Sequence, residues 1–455
     1  MSFLDKEYLL ESPAAVRLYE SIRDEPILDP HSHVDVRAVA ENDGWTDIWE
    51  VEGATDHYVW ELMRKRGVPE AKITGDTSNW EKWMALAEVF PKFAGNPTYE
   101  WVHLDLKRRF GIDSQISAET AEDIWAETKA ALDDTEMCQQ ALLEEMNVSV
   151  VSSTDDPTSK LEHHQKLAND LDDVTVRPTW RPDTAMKIDE SGWAEYVEEL
   201  GAATDTDVSD LTGFCVALET SHGYFEAHGC GASDHGLQEV VSRPVSEDRA
   251  AEVYERAYTG GDLSEKDVAD FQAYVLNLIG ELNSETGWVT QFHIGPVRDY
   301  RDSLHDRLGA DAGGDISTQD VELVDNLRYF LNRFDNDLEV VLYTVDPTHY
   351  PTVATIARAF PNVSVGAAWW FNDSPYGMQE QLEYVGTVDL LANYGGMVSD
   401  SRKLMSFDSR FEMFRRSLAN TVGSMVERGQ IPGDVAADLV QQVAYDRPAE
   451  LWGIE

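Results

Sequence analysis

Eight short runs rich in β-branched and aromatic residues recur along the chain, at 27–33, 146–154, 174–180, 214–220, 288–294, 339–345, 363–371 and 391–399. Longer helix-like stretches separate them. Parallel strands need a crossover between them, and eight strands alternating with helices close into a barrel. The expected fold class is therefore α/β, a (β/α)8 TIM-type barrel. A doubly wound open sheet is the alternative, and no Gly-x-Gly-x-x-Gly turn supports a dinucleotide-binding version of it. The spacing is uneven. Long gaps follow the first and fourth runs and read as helical insertions into barrel loops, the first over 36–145, with stretches such as Asn79–Phe90 able to cover an active-site mouth. No Pro- or Ser-rich linker appears, so one domain over 1–455 is expected. Leu308–Asp315 reads as a surface loop.

The apolar fraction of 42% and the 13 tryptophans in 455 residues are those of a folded chain with a large core. With 85 acidic against 36 basic residues the net charge is −49, which repels nucleic acid and anionic membranes. The acids are scattered rather than gathered in a tail. Such a surface suits a salt-rich cytoplasm, where repulsion is screened to within about 3 Å at 1 M salt, and halophilic adaptation is expected. Cys138, Cys215 and Cys230 are odd in number and irregularly spaced, as in a reducing compartment without a disulfide framework. The N-terminus carries charges where a signal peptide needs an apolar stretch, and no apolar run approaches the ~20 residues of a membrane span. A cytoplasmic protein is expected.

Barrel enzymes hold their chemistry at the C-terminal ends of the strands. The first run ends in Asp29-Pro30-His31-Ser32-His33. Strand side chains repeat every two residues, so His31 and His33 face the same way, as two ligands of one metal or as two histidines meeting at a polar strand end. The other runs end in or just before Thr154-Asp155-Asp156-Pro157, Arg177 to Asp183, Glu219 and His222, His293-Ile294-Gly295, Asp346-Pro347, Trp369 to Asp373, and Ser399-Asp400-Ser401-Arg402. Asp155, Asp156 and Asp346 read as caps at strand–helix junctions. Closing the barrel brings the first and last strands together, so that His31, His33 and Asp400 offer two nitrogens and one carboxylate to a single divalent ion. Zinc or manganese suits such ligands. No lysine in the second to fourth runs is available to bridge two metals. Trp369 and Trp370, being adjacent, are expected to point to opposite sides of a strand. His57-Tyr58 also reads as an ordinary helix start after Asp56. His163, His164, Arg108 and Arg109 read as solvated helix faces.

At the level of motifs, Asp29 to His33, Asp56-His57-Tyr58, Ile73 to Asp76, Gly95-Asn96-Pro97, Thr154 to Pro157, Arg177 to Asp183, Ala232-Ser233-Asp234-His235-Gly236, His293-Ile294-Gly295, Trp369 to Asp373 and Ser399 to Arg402 occur in this order. The ordered set resembles the uronate (glucuronate) isomerases of the amidohydrolase superfamily, nearly end to end. The resemblance implies a distorted (β/α)8 barrel that interconverts D-glucuronate with D-fructuronate and D-galacturonate with D-tagaturonate in hexuronate catabolism, with one divalent metal and a homo-oligomeric assembly. It makes His31, His33 and Asp400 metal ligands. His57 and Tyr58 become catalytic candidates brought in by the first insertion, together with Asp234, His293, Asp400 and Arg402. Arg181, Trp370, Arg402 and His235 become substrate-binding candidates. Two segments depart from the family pattern: Arg298-Asp299-Tyr300-Arg301 stands where an Asn-Asn-Asn run is common, and Tyr343 to Tyr350 is poorer in amides.

Turning an open-chain aldose into a ketose moves a proton from C2 to C1 through an enediolate. That needs a base, return of the proton on the same face, and donors for negative charge on oxygen. Asp400 could take the proton, His57 or Tyr58 could relay one between oxygens, and the forked donors of Arg181 suit a C6 carboxylate. A mononuclear metal-dependent hydrolase would use a similar ligand set to activate water. A sugar-acid-binding module on a decayed barrel is the third class.

Overall fold

Nine strands carry the frame in the computed structural model, which describes residues 3–133 and 137–454. They are β1 (Ile27–Asp29), β2 (Val148–Ser152), β3 (Thr175–Arg177), β4 (Ala232–Leu237), β5 (Val289–Ile294), β6 (Pro296–Val297), β7 (Ile316–Ser317), β8 (Val340–Thr344) and β9 (Val363–Val365). β1, β2 and β3 pair in parallel in that order, and β4, β5, β8 and β9 form a second parallel sheet. Trp180 joins the two sheets, bridging to Asp155 on one side and Ser233 on the other. The opposite seam is closed by 394–401, which is extended but too irregular to form a strand. Gly395 N–H donates to Val365 O at 2.8 Å, Asp400 N–H to His31 O at 3.1 Å, and His33 N–H to Ser401 O at 3.1 Å. The result is a distorted (β/α)8 barrel with its eighth position filled by a bent segment.

The fourth expected strand is not one. Residues 214–220 lie inside the helix Leu211–Glu226, capped by the Asp210 side chain on Gly213 N–H. Its buried positions, Phe214, Ala217, Leu218, Ser221, His222 and Phe225, follow helical spacing, but a local apolar run does not distinguish that from a buried strand. The true fourth strand, β4, was hidden because it buries Ser233, Asp234 and His235 completely. Glu219 and His222 therefore do not end a strand; His222 Nε2 lies 3.1 Å from Asn283 Oδ1 and its ring stacks on Trp288. The last expected strand, 391–399, is likewise a 3-10 turn over Leu391–Asn393 followed by the closing segment.

Between β1 and β2 the described chain is helical, including Ile48–Glu52, His57–Lys65, Asn79–Val89 and Pro97–Phe110. Between β4 and β5 stand Glu247–Tyr258 and Glu265–Thr286. β6 and β7 form a small antiparallel hairpin around residues 298–315. Two solvated faces of the sequence reading turn out otherwise. His164 is buried, with Nε2 2.8 Å from Ser153 Oγ, while Arg108 pairs with Glu412 at 2.6 Å and Arg109 with Asp408. Both arginines reach the long helix Phe407–Glu427, whose sides are buried almost all round, so their charges have partners rather than water. No helix among the described residues is long and apolar enough to cross a membrane.

Candidate active site

The strand-end segments converge on one carboxylate. Asp400 takes a left-handed backbone conformation, φ +46°, unusual for a residue with a side chain. Its oxygen Oδ1 lies 3.2 Å from His31 Nε2 and 3.3 Å from His33 Nε2. Behind it, the Trp369 indole donates to Oδ2 at 2.7 Å. Burial alone would raise the Asp400 carboxyl, but the hydrogen bonds from His31 and His33 hold it well below the usual carboxylate range. Ligand atoms of His31, His33 and Asp400 lie within 4.8 Å of one another. One positive charge, a proton or a metal ion, belongs between them, and two imidazoles with one carboxylate form a donor set for a divalent transition metal.

A second layer orients the first. His31 Nδ1 faces Asp234 Oδ2 at 3.6 Å, which favours the tautomer that leaves Nε2 free to ligate. Asp234 Oδ1 accepts from His293 Nδ1 at 2.6 Å, and Arg181 Nε stands 3.3 Å from Asp234 Oδ2 and 3.2 Å from Asp183 Oδ2. Burial works to raise Asp234, yet Arg181, His31 and His293 keep it well below the usual range. Burial pushes His293 down to about 4, so it is neutral. His31, Asp234 and His293 also group closely enough to ligate, but the Arg181 guanidinium already supplies the cation there. The arrangement fits one metal, not two.

A cavity of about 800 Å³ opens above His31, His33 and Asp400. Of the residues singled out from sequence, His31, His33, His57, Arg181, Trp370, Asp400 and Arg402 form its wall. Asp234, His293 and His235 lie behind that wall, fully buried. His235 faces Asp183 Oδ1 at 3.4 Å and Ser233 Oγ at 2.9 Å. Tyr58 is turned away too: its hydroxyl donates to Asp373 Oδ2 at 3.0 Å, the same oxygen that accepts from Arg410 Nη1 at 3.0 Å. His57 starts the helix His57–Lys65 after its N-cap Asp56, as a helix start should, and still reaches the cavity. Burial lowers the His57 imidazole, and its Nε2 has no hydrogen-bond partner.

Asp346 caps a turn through Thr348 N–H at 2.8 Å, and Asp156 holds Thr158 N–H at 2.9 Å. Asp155 instead accepts from the Ser153 hydroxyl at 2.6 Å and lines the cavity, with burial pushing it up to about 6. Trp369 and Trp370 do not divide between two faces; both line the cavity, because β9 ends at Val365 and strand alternation does not extend to them. Asp183, Trp369 and Asp373 belong to the quoted motifs, but sequence reasoning gave none of them a site role. Arg298, from the segment that departs from the family pattern, is also in the wall, with its guanidinium 4.4 Å from the Trp370 ring centroid.

A sequence model of the glucuronate isomerase family matches residues 1–452. The chain belongs to the glucuronate isomerase family. A uronate isomerase of Thermotoga sp. (strain RQ2) is 57% identical over 450 residues, 99% of either chain. The crystal structure of uronate isomerase from Thermotoga maritima superposes with a TM-score of 0.98 at 57% identity, covering 99% of this chain and 100% of that one. Glucuronate isomerase from Caulobacter crescentus gives a TM-score of 0.95 at 26% identity, over 100% and 97% of the two chains. The family's barrel frame thus persists while most side chains change.

Proposed function

We infer that the chain is an aldose–ketose isomerase of hexuronates, interconverting D-glucuronate with D-fructuronate and D-galacturonate with D-tagaturonate. The observation that carries the reading at this site is a half-buried ionised carboxylate, Asp400, in one cavity with Arg181, Arg298 and Arg402. The base and the anion receptors needed for a sugar acid share one wall.

In this reading an arginine holds the C6 carboxylate. Arg181 has its Nε committed to Asp183 and Asp234, which leaves its terminal N–H groups for substrate. Arg402, paired with Asp311 at 3.3 Å, and Arg298, resting on Trp370, complete the anion-binding wall. Asp400 removes the C2 proton, which exchanges in part with solvent at the enediolate stage, and delivers a proton to C1 on the same face, while the hydroxyl proton of O2 passes to O1. Neutral His57, which lines the cavity and whose Nε2 has no hydrogen-bond partner, carries that second proton. Tyr58 keeps its own proton on Asp373 and braces the His57 ring, 4.9 Å away. Asp234 and His293 orient His31, and His235 supports Asp183 beneath Arg181. His31, His33 and Asp400 would hold one divalent metal, zinc by preference and manganese as the alternative, which when bound supplies Lewis-acid stabilisation of oxyanion charge.

Family membership and the curated isomerase relatives disfavour the hydrolase alternative. The deciding experiment is proton NMR in D2O and molar KCl with each uronate. Ketose carrying deuterium at C1 supports proton transfer; no turnover of either sugar by folded, metal-loaded protein defeats the reading. Cytoplasmic residence and a homo-oligomer are part of the same proposal, the second open to analytical ultracentrifugation.

A further inference from the structure

Lys403 is almost completely buried, directly after Arg402 in sequence, and its ammonium meets three carboxylates from three separate helices. Nζ lies 2.7 Å from Glu52 Oε2, 3.5 Å from Asp56 Oδ2 and 3.6 Å from Asp105 Oδ2. Glu52 ends the helix Ile48–Glu52, Asp105 lies within Pro97–Phe110, and Asp56 is the N-cap of His57–Lys65. A buried ion cluster is a weak source of stability, because desolvation offsets most of the attraction, and apolar side chains fill such a place at less cost. What this one does supply is a fixed join between distant segments.

Asp56 shows how the join reaches the site. Its Oδ1 accepts from Tyr58 N–H at 2.9 Å, fixing the first turn of the helix that presents His57 and Tyr58, while its Oδ2 faces the Lys403 ammonium. On the other side, Lys403 continues the segment that carries Asp400 and Arg402, itself stitched to the first strand end through His31 O and His33 N–H. We propose that Lys403, acting through Asp56, is a positioning residue for isomerisation: it clamps the helix bearing His57 to the strand-end segment bearing Asp400 and Arg402. Reacting groups that sit on different chain segments lose rate steeply with small displacements, about a hundredfold per ångström, so a join of this kind controls kcat. The use of the clamp in turnover rests on the isomerase reading; the clamp itself does not.

Lys403→Met strands three acids and is a poor test, since its loss of activity would not separate positioning from unfolding. Two milder variants separate positioning from bulk stability. Asp56→Asn keeps an N-capping side chain but removes the charge that faces Lys403. Glu52→Gln removes a carboxylate from the same cluster on a helix that carries no site residue. Burial pushes the Glu52 carboxyl up while Lys403 pulls it back, and glutamine keeps an acceptor toward the ammonium. For D56N, hydrogen–deuterium exchange over 58–65 should quicken, and kcat on D-glucuronate should fall about tenfold or more with KM within about twofold. E52Q should match the wild type in both. Wild-type exchange in D56N, wild-type kcat in D56N, or equal losses in the two variants overturns the proposal. A wild type that turns over neither uronate overturns the isomerase reading instead, and exchange alone then decides the clamp.

Discussion

The Trp369 indole donates to Asp400 Oδ2 at 2.7 Å while Oδ1 of the same carboxylate faces both His31 and His33. One oxygen is thus tied to the barrel wall and the other is left to the two imidazoles. Trp369→Phe keeps most of the packing against His293, whose ring is 4.5 Å away, and deletes only the donor. A hydrogen bond to a charged group contributes about 1.5–3 kcal/mol, so kcat should fall roughly ten- to a hundredfold. Steady-state kinetics beside a near-UV circular dichroism spectrum checks this; unchanged kcat in a folded variant removes the indole from that role.

Gly236 has a different kind of constraint. A Cβ built on it would stand 2.1 Å from Arg181 Nη2, and Gly236 N–H donates to Asp183 Oδ2 at 2.8 Å. Since Asp183 and Asp234 also hold Arg181 Nε, the guanidinium has little room to retreat. Gly236→Ala should push Arg181 out of register and raise KM for both uronates by about tenfold, with a smaller effect on kcat. A kinetic titration with each sugar decides it: an unchanged KM shows that Arg181 does not contact the substrate's anionic end.

The barrel was legible because β1, β2, β5, β8 and β9 are short, β-branched and flanked by polar ends, and the common direction of His31 and His33 was legible because they keep the two-residue period, both facing Asp400. β4 was not, since Ser233, Asp234 and His235 look like a loop until Arg181, His293 and Asn283 are known to meet them. The closing segment reads as a strand because its apolar residues sit at core positions, while its positive-φ Gly396 and Asp400 break the ladder. Tyr58 and Trp370 could be named from motifs, but their direction could not, as it depends on Asp373 and Arg298 from remote loops. Lys403 carried no local signal at all: its partners are acids on three helices of the first insertion.

His103 offers a clean pH readout outside the cavity wall. Its Nδ1 donates to Tyr99 O at 2.7 Å and its Nε2 accepts from Ile116 N–H at 2.9 Å, an arrangement only the neutral ring can satisfy. Burial accordingly lowers its pKa to about 4. A base depressed on folding stabilises the protein fully above its unfolded value, near 6.5, and loses that contribution as pH falls toward the folded value. His103→Gln should therefore cost most stability at pH 7 and above, and the gap from wild type should narrow at up to about 1.4 kcal/mol per pH unit between roughly 6.5 and 4. Urea midpoints for both proteins across that range test it; a gap independent of pH shows that the ring does not titrate with folding.

Salt dependence follows from the charge excess. With 85 acidic and 36 basic residues, the folded chain brings like charges closer than the unfolded one does, and that repulsion opposes folding until ions screen it. Surface pairs pull the other way. The cluster of Arg249 with Asp267 and Asp270, at 2.5 and 2.9 Å, loses attraction as salt rises. If repulsion governs, Tm should climb steadily from low salt to 2 M KCl, and enzyme diluted into low salt should lose activity and recover it when KCl is restored. A Tm that stays flat or falls over that range shows that the local pairs outweigh the net charge, and that the acidic surface is not an adaptation to salt.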